Sequence, residues 1–193
     1  MDVAQIIQEP EIQPLRWSAK GFMALIEADM IEDPRRVELL DGMMVKETPQ
    51  GEVHRFIFAA LQRAFAAAGA IIKGLEISPT ILIKDRSVVE PEFAILREEA
   101  VGRVELPTDE DVLWVCEVSL SSLRKDLGPK KAIYAEADIP CYWVFDAARR
   151  GVWVFSNPEN GSYADERFVA SGESVQIPVI GGNLDTSAIF PPR

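Results

Sequence analysis

The feature that most constrains the fold is an acidic residue inside an otherwise apolar segment, "VLWVCEV" at residues 112–118. Its β-branched and aromatic residues favour a β-strand, and its nearly continuous hydrophobicity indicates a strand that is buried on both faces. Glu117 interrupts this pattern. A buried carboxylate is energetically costly unless it is paired, protonated or bound to a metal ion. We therefore expect a partner for Glu117 elsewhere in the chain.

Length and composition indicate a globular protein. A chain of 193 residues is most simply one domain, residues 1–193, and we expect residues 1–15 to be loosely ordered. No apolar run is long enough to cross a bilayer, and the N-terminus lacks the basic start and apolar core of a signal peptide. Cys116 and Cys141 lie within apolar segments, as reduced, buried cysteines do. These features predict a cytoplasmic protein without a membrane partner.

The net charge of -11 argues against non-specific adhesion to nucleic acid, which normally requires a basic surface. The cations are nevertheless grouped, in "LRKDLGPKK", "AARRG" and "DPRR". A locally basic groove on an acidic protein is therefore compatible with the sequence.

Local patterns predict an alternation of helices and strands. Ser18 is placed to cap a short amphipathic helix, and Asp41-Gly42 separates two strand-like segments as a tight hairpin turn does. Apolar spacing predicts a helix from Gly51 to Ala68 that Gly69 terminates. Further strand-like segments are "AIIKGLEI", "TILIKD", "VVEPEFAILR", "CYWVFD" and "GVWVFS", and a helix is predicted at about 129–137. The sequence therefore predicts an α/β (α+β) domain in which one sheet is covered by a few helices.

Two other acids also interrupt apolar, strand-like segments. Glu92 follows Pro91 in "VVEPEFAIL", and Glu38 lies in "RVELLDG". If the strands are neighbours, Glu92 and Glu117 converge and repel each other unless a cation lies between them; oxygen ligands suit Mg²⁺ or Mn²⁺. Lys130 follows by one loop, at the start of the next predicted helix. A metal held by carboxylates beside a lysine is equipped for phosphodiester hydrolysis.

The chain resembles the PD-(D/E)XK nuclease superfamily and, within it, the Uma-type restriction endonuclease family. The resemblance covers about residues 36–155, and its most specific element is the spacing of Asp126, Lys130 and Tyr134 before "IPCYWVFD". The matching segments are "RVELLDGMMV", "GEVHRFIFAAL", "VEPEFAIL", "CEVSLSSLRKDLGPKKAIYAEADIPCYWVFD" and "GVWVF". The resemblance implies a restriction-endonuclease-like core, with a mixed central β-sheet flanked by helices.

The resemblance also implies a set of site residues. The two metal-binding acids of the family fall on Glu92 and Glu117, and the backbone carbonyl of Val118 would complete the metal shell. The family lysine falls on Lys130, since Ser119 occupies the position two residues after the second acid.

Two further family positions fall on Glu38 and His54. Glu38 would be a third carboxylate of the metal site, or a strand residue paired with Arg36 or Lys46. His54 would contact phosphate or order water, or would be a hydrogen-bonded core residue. Asp126 is predicted to cap the helix that presents Lys130.

The sequence departs from the family pattern at two positions. Glu92 replaces the commoner aspartate, which lengthens this ligand by one methylene group, and Leu120 replaces a residue that is often polar or acidic. These expectations together describe a Mg²⁺- or Mn²⁺-dependent endonuclease that acts on DNA as a homodimer. The alternatives are a catalytically inactive binding or assembly module with the same fold, and an RNA-directed nuclease.

Overall fold

A computed structural model describes residues 15–70 and 74–192. The N-terminal segment that we expected to be loosely ordered therefore lies outside the described residues, apart from residue 15. Residues 71–73 of the predicted strand "AIIKGLEI" also lie outside them. No helix among the described residues has the length and apolar character that crossing a membrane requires.

The described part of the chain alternates short helices with strands. In chain order the elements are α1 (Ala19–Glu27), β1 (Val37–Leu40), β2 (Met43–Lys46), α2 (Glu52–Ala67), β3 (Leu75–Ile77), β4 (Ile81–Ile83), β5 (Ser87–Val89), β6 (Phe93–Leu96), β7 (Val112–Ser119), α3 (Leu123–Lys125), a π-helical turn (Asp126–Lys130), α4 (Lys131–Glu136), β8 (Cys141–Asp146), β9 (Gly151–Glu159), β10 (Ser162–Ala170), β11 (Ser174–Gln176) and β12 (Asn183–Asp185).

A six-stranded mixed sheet forms the centre, with the strand order β10-β9-β8-β7-β6-β3. Strands β7 and β8 are parallel, and the other pairs are antiparallel. Helix α2 contributes Phe65 to the apolar cluster on one face, and α4 contributes Tyr134 to the cluster on the other. Because both faces are covered, β7 and β8 are apolar apart from Glu117, Ser119 and Asp146. The predicted mixed central sheet flanked by helices is confirmed.

Local signals set several element boundaries as expected. The Ser18 hydroxyl accepts a hydrogen bond from the backbone N–H of Gly21 (3.0 Å) and caps α1. Helix α2 ends at Ala67, and Gly69 follows with a φ of +74°, which glycine adopts without steric cost. Asp41 and Gly42 both have positive φ in the predicted hairpin turn between β1 and β2.

The expectation of one sheet is wrong, because the structure contains two further sheets. Strands β2-β1-β5-β4 form a four-stranded sheet, and β11 and β12 form a two-stranded one. Strand periodicity shows which face of a strand is buried, but not which strands pair with one another. The consequence for the site is that Glu38, in β1, comes from a different sheet than Glu117, in β7.

The helical segment between β7 and β8 begins earlier than predicted. It starts at Leu123 rather than near residue 129, so Ser122 precedes it and Asp126 is not its N-cap. Asp126 is instead buried and accepts hydrogen bonds from the hydroxyls of Ser119 and Ser122. The π-helical turn includes Pro129, which lacks a backbone N–H, and it buries Lys130 as well as Asp126.

Gly151 provides a test of the central sheet. A Cβ at this position would lie 2.6 Å from the backbone oxygen of Val169 in β10, and it would also overlap the ring of Phe168. We expect Gly151→Ala to lower the free energy of unfolding by about 1–3 kcal/mol, because β10 cannot move away from the new methyl group without breaking its hydrogen bonds to β9.

Gly51→Ala is the matched control, since a Cβ there has no neighbour within 4 Å and its backbone is extended. Its effect should stay below about 1 kcal/mol, as expected for an N-cap glycine. Urea unfolding measures both free energies. Equal effects of the two substitutions would contradict the described packing of β9 against β10.

Candidate functional site

An open cleft of about 350 Å³ lies beside the C-terminal end of β7. Its walls are the segment that follows β2, the start of α2 and the connection from β7 to α3. Glu92, Glu117, Val118 and His54 line it, all of which the sequence analysis selected. The cleft is therefore where these groups become accessible to a ligand.

Strand pairing brings the two expected metal-binding acids together. Strands β6 and β7 are antiparallel neighbours with Phe93 opposite Cys116, which places Glu92 beside Glu117 at the same end of the sheet. One Glu92 oxygen accepts a hydrogen bond from the backbone N–H of Val118 at 3.0 Å. The carboxyl groups of Glu92 and Glu117 are close enough to shift each other's pKa.

The electrostatic environment of this pair favours a bound proton or cation. Burial raises the pKa of Glu117 well above its ordinary value, against the opposing charge of Lys130, and the neighbouring charge of Glu92 adds to the rise. Burial likewise raises the pKa of Glu92. Two buried carboxyls in contact cannot both be ionised at low cost unless a positive charge lies between them.

Lys130 is buried behind the carboxylates rather than in the cleft. Its side chain is 1 % exposed, and its ammonium forms ion pairs with Glu117 at 2.5 Å and with Glu38 at 2.8 Å. Burial alone would lower the pKa of Lys130, but these two carboxylates raise it well above its ordinary value. Lys130 is therefore a permanently charged group that joins the central sheet to the four-stranded sheet.

Glu38 lies with the lysines and does not line the cleft. Its carboxylate is 3 % exposed and accepts hydrogen bonds from Lys130, from Lys125 (2.9 Å) and from the backbone N–H of Glu90 (3.1 Å). Burial would raise the pKa of Glu38, but the ammonium groups of Lys130 and Lys125 lower it to about 2. The role of Glu38 as a third metal ligand stays a prediction.

The groups at the cleft fit a hard divalent cation. Within residues 15–70 and 74–192 no group of three or more His, Cys, Asp or Glu side chains is arranged to hold a metal ion. Two adjacent carboxylates with a neighbouring backbone segment, Val118, nevertheless suit Mg²⁺, which commonly binds one or two carboxylates and retains several waters. Burial raises the pKa values of Glu92 and Glu117 even though Lys130 pairs with Glu117, so the two carboxyls still favour an additional positive charge.

His54 is a direct partner of Glu92. Its Nε2 lies 2.7 Å from a Glu92 oxygen, so one hydrogen is shared between them. Its Nδ1 is buried and has no hydrogen-bond partner among the described residues. Burial lowers the pKa of His54, against the opposing charge of Glu117, which favours the neutral ring. A neutral His54 can orient Glu92 through Nε2.

The structure adds contacts at the site that the sequence analysis did not predict, at Tyr134 and Lys125. Tyr134 is buried in the core, and its hydroxyl donates to Glu117 at 3.1 Å. Its position one helical turn after Lys130 was the available signal. Lys125 forms ion pairs with Glu38 and Glu47 and lines the cleft. The contact with Glu47 spans 78 positions of the chain and had no local signal.

Two comparisons with known proteins report a match. The family model described as "Uma2: Putative restriction endonuclease" matches residues 22–187. Among solved structures, one described as a "putative nuclease belonging to DUF820" from Anabaena variabilis ATCC 29413 superposes with a TM-score of 0.68 at 15% sequence identity. The superposition covers 92% of this chain and 98% of that one, and at this identity it shows a shared fold. No curated protein sequence matches the chain.

The lowered pKa of Glu38 predicts a specific acid sensitivity. A carboxyl whose pKa falls from 4.5 unfolded to about 2 folded stabilises the protein above pH 4.5 and loses that contribution as the pH drops towards 2. Its full contribution is about 3 kcal/mol. We therefore expect the unfolding free energy of the wild type to fall more steeply than that of Glu38→Gln between about pH 5 and pH 2, because the Glu38 carboxylate takes up its proton in this range.

Chemical denaturation at a series of pH values measures the two slopes. Glu159→Gln, which removes an exposed carboxylate of β9, is the matched control and should retain the wild-type slope. Parallel curves for the wild type and Glu38→Gln would show that the ion pairs of Glu38 do not lower its pKa.

Proposed function

This chain belongs to the Uma2 family of putative restriction endonucleases, and from that premise we propose that it is a metal-dependent DNA endonuclease. The family and the nuclease-like fold support a nuclease acting on nucleic acid. The metal, the choice of DNA and the roles of individual residues are our proposal, and they rest on the cleft.

The observation that carries the proposal is the pairing of Glu92 with Glu117 at the wall of an open cleft. We propose that these two carboxylates and the backbone carbonyl of Val118 hold Mg²⁺ or Mn²⁺. A divalent cation there would supply Lewis-acid polarisation of the phosphate and activation of water. Glu92 is one methylene longer than the aspartate common in the family, but its carboxylate is held in place by the Val118 backbone N–H and by His54, so it can still serve as a ligand.

The other site residues hold the carboxylates in position. Lys130 and Tyr134 fix one oxygen of Glu117, and the charge of Lys130 favours its ionised form. Glu38 in turn holds Lys130, which makes Glu38 a positioning residue in this proposal rather than a direct participant. Lys130 contributes a positive charge behind the site that favours the developing negative charge of the phosphate.

The setting of the enzyme is also part of the proposal. Cys116 and Cys141 are free thiols, as expected in the reducing cytoplasm. One cleft per chain would cut one strand, so we propose that double-strand cleavage uses a homodimer.

The rival function is a binding or assembly module that retains the nuclease fold without catalysis. The observation in its favour is that Lys130, Glu38 and Glu117 satisfy one another's charges, as a purely structural ion-pair network does. The acidic net charge of -11 also favours it. The two functions differ in whether the cleft binds a metal and whether nucleic acid is cut.

Plasmid cleavage tests the proposed chemistry. Purified protein with Mg²⁺ or Mn²⁺ should nick or linearise supercoiled DNA. Glu117→Gln and Lys130→Met should each lower the rate by about two orders of magnitude or more, because each removes a charge that the site requires. Glu159→Gln is the matched control and should cut at the wild-type rate. Equal rates for Glu117→Gln and wild type across the metal series would refute catalysis at this cleft.

Calorimetric titration with Mn²⁺ separates the enzyme from the rival module. The wild type should show saturable binding that Glu92→Ala abolishes, since this variant removes one of two carboxylate ligands. Circular dichroism of both proteins checks that the variant remains folded. Absence of saturable Mn²⁺ uptake by the wild type would favour the module.

A further inference from the structure

The cation that the cleft presents to a ligand is Lys125, not Lys130. Lys130 does not line the cleft, and its ammonium is enclosed by Glu38 and Glu117. Lys125 lines the cleft, and its side chain is 19 % exposed. A lysine ammonium has three N–H donors, and Lys125 uses two of them for Glu38 and Glu47 among the described residues. The remaining donor is available to a ligand.

Two contacts join the walls of the cleft at this end. Lys125 in α3 pairs with Glu47, which follows β2, and the hydroxyls of Thr48 and Ser121 lie 3.2 Å apart. All four residues line the cleft. The donors in these contacts, the Lys125 ammonium and the Thr48 and Ser121 hydroxyls, also bind phosphate oxygens, so a phosphate can replace the Glu47 carboxylate at Lys125 without leaving a donor unsatisfied.

We propose that Lys125, with the hydroxyls of Thr48 and Ser121, forms a phosphate-binding subsite for the nucleic-acid backbone beside the carboxylate pair. In the free protein Glu47 occupies this subsite as an internal counter-charge, and the phosphate takes its place at Lys125. This inference rests on the proposed nuclease function, because it needs nucleic acid as the ligand.

The donor groups at this end of the cleft explain why a phosphate is the expected ligand. The donors that line this end of the cleft are Lys46, Thr48, Gln50, Ser121, Ser122 and Lys125. Ammonium and hydroxyl donors suit phosphate oxygens and carry no base preference. The ammonium groups of Lys46 and Lys125 would repel a metal ion, so the proposed cation site lies at Glu92 and Glu117 and the proposed phosphate site at Lys125.

Binding of a short fluorescein-labelled DNA duplex, followed by anisotropy over a series of NaCl concentrations, tests the subsite. Ca²⁺ replaces Mg²⁺ in this assay to slow cleavage. Lys125→Met should weaken binding about tenfold and lower the salt slope by about one, because one phosphate contact is lost. Lys131→Met removes the same charge from α4, on a side chain paired with Glu166, and should match wild type.

Glu47→Gln separates a phosphate contact from a structural bridge. It breaks the same ion pair but leaves Lys125 available, so it should tighten binding without lowering the salt slope. Weaker binding by both Glu47→Gln and Lys125→Met would overturn the subsite, as would a Lys125→Met variant that behaves like Lys131→Met. If Lys125→Met does not fold, tighter binding by Glu47→Gln supports the subsite and unchanged or weaker binding overturns it.

Failure of the proposed function would look different. Wild-type protein would then neither bind the duplex nor cut plasmid DNA, and this result would overturn both the nuclease function and the phosphate-binding subsite. If the wild type binds the duplex and Lys125→Met binds it with the same affinity and salt slope, only the subsite is overturned.

Discussion

The buried ammonium of Lys130, held between Glu38 and Glu117, is the interaction on which the arrangement of the site depends. The two carboxylates come from different sheets, and Lys130 comes from the π-helical turn that connects β7 to β8. Buried charges are tolerated only when they are paired and hydrogen-bonded. The fold must therefore bring the two sheets and the turn to one place, or leave uncompensated charge in its core.

This cluster divides the site into two layers with different tasks. Behind the cleft, Lys130 and Tyr134 fix one oxygen of Glu117, and Glu38 holds Lys130. At the cleft wall, Glu92 and Glu117 form a pair whose pKa values are raised by burial. In the proposed function this arrangement would hold a divalent cation without a third carboxylate, because the inner layer positions Glu117 and the cation can retain water ligands.

Much of this arrangement followed from the sequence, for physical reasons that particular residues show. Glu92 and Glu117 stood out because a carboxylate inside an apolar strand demands a partner. Ser18, Asp41-Gly42 and Gly69 marked element boundaries through local chemistry. Pairings between distant segments had no such signal: the four-stranded sheet and the contact of Lys125 with Glu47 depend on tertiary structure.

The central claim is that Glu92 and Glu117 share a divalent cation at the wall of the cleft. Anomalous diffraction from a crystal soaked in Mn²⁺ tests it most directly. We expect one strong anomalous peak between the two carboxylates and the backbone oxygen of Val118, with metal–oxygen distances of roughly 2.1 Å, as for hard octahedral cations. A map without a peak at this position, or with Mn²⁺ only at surface carboxylates, would contradict the account.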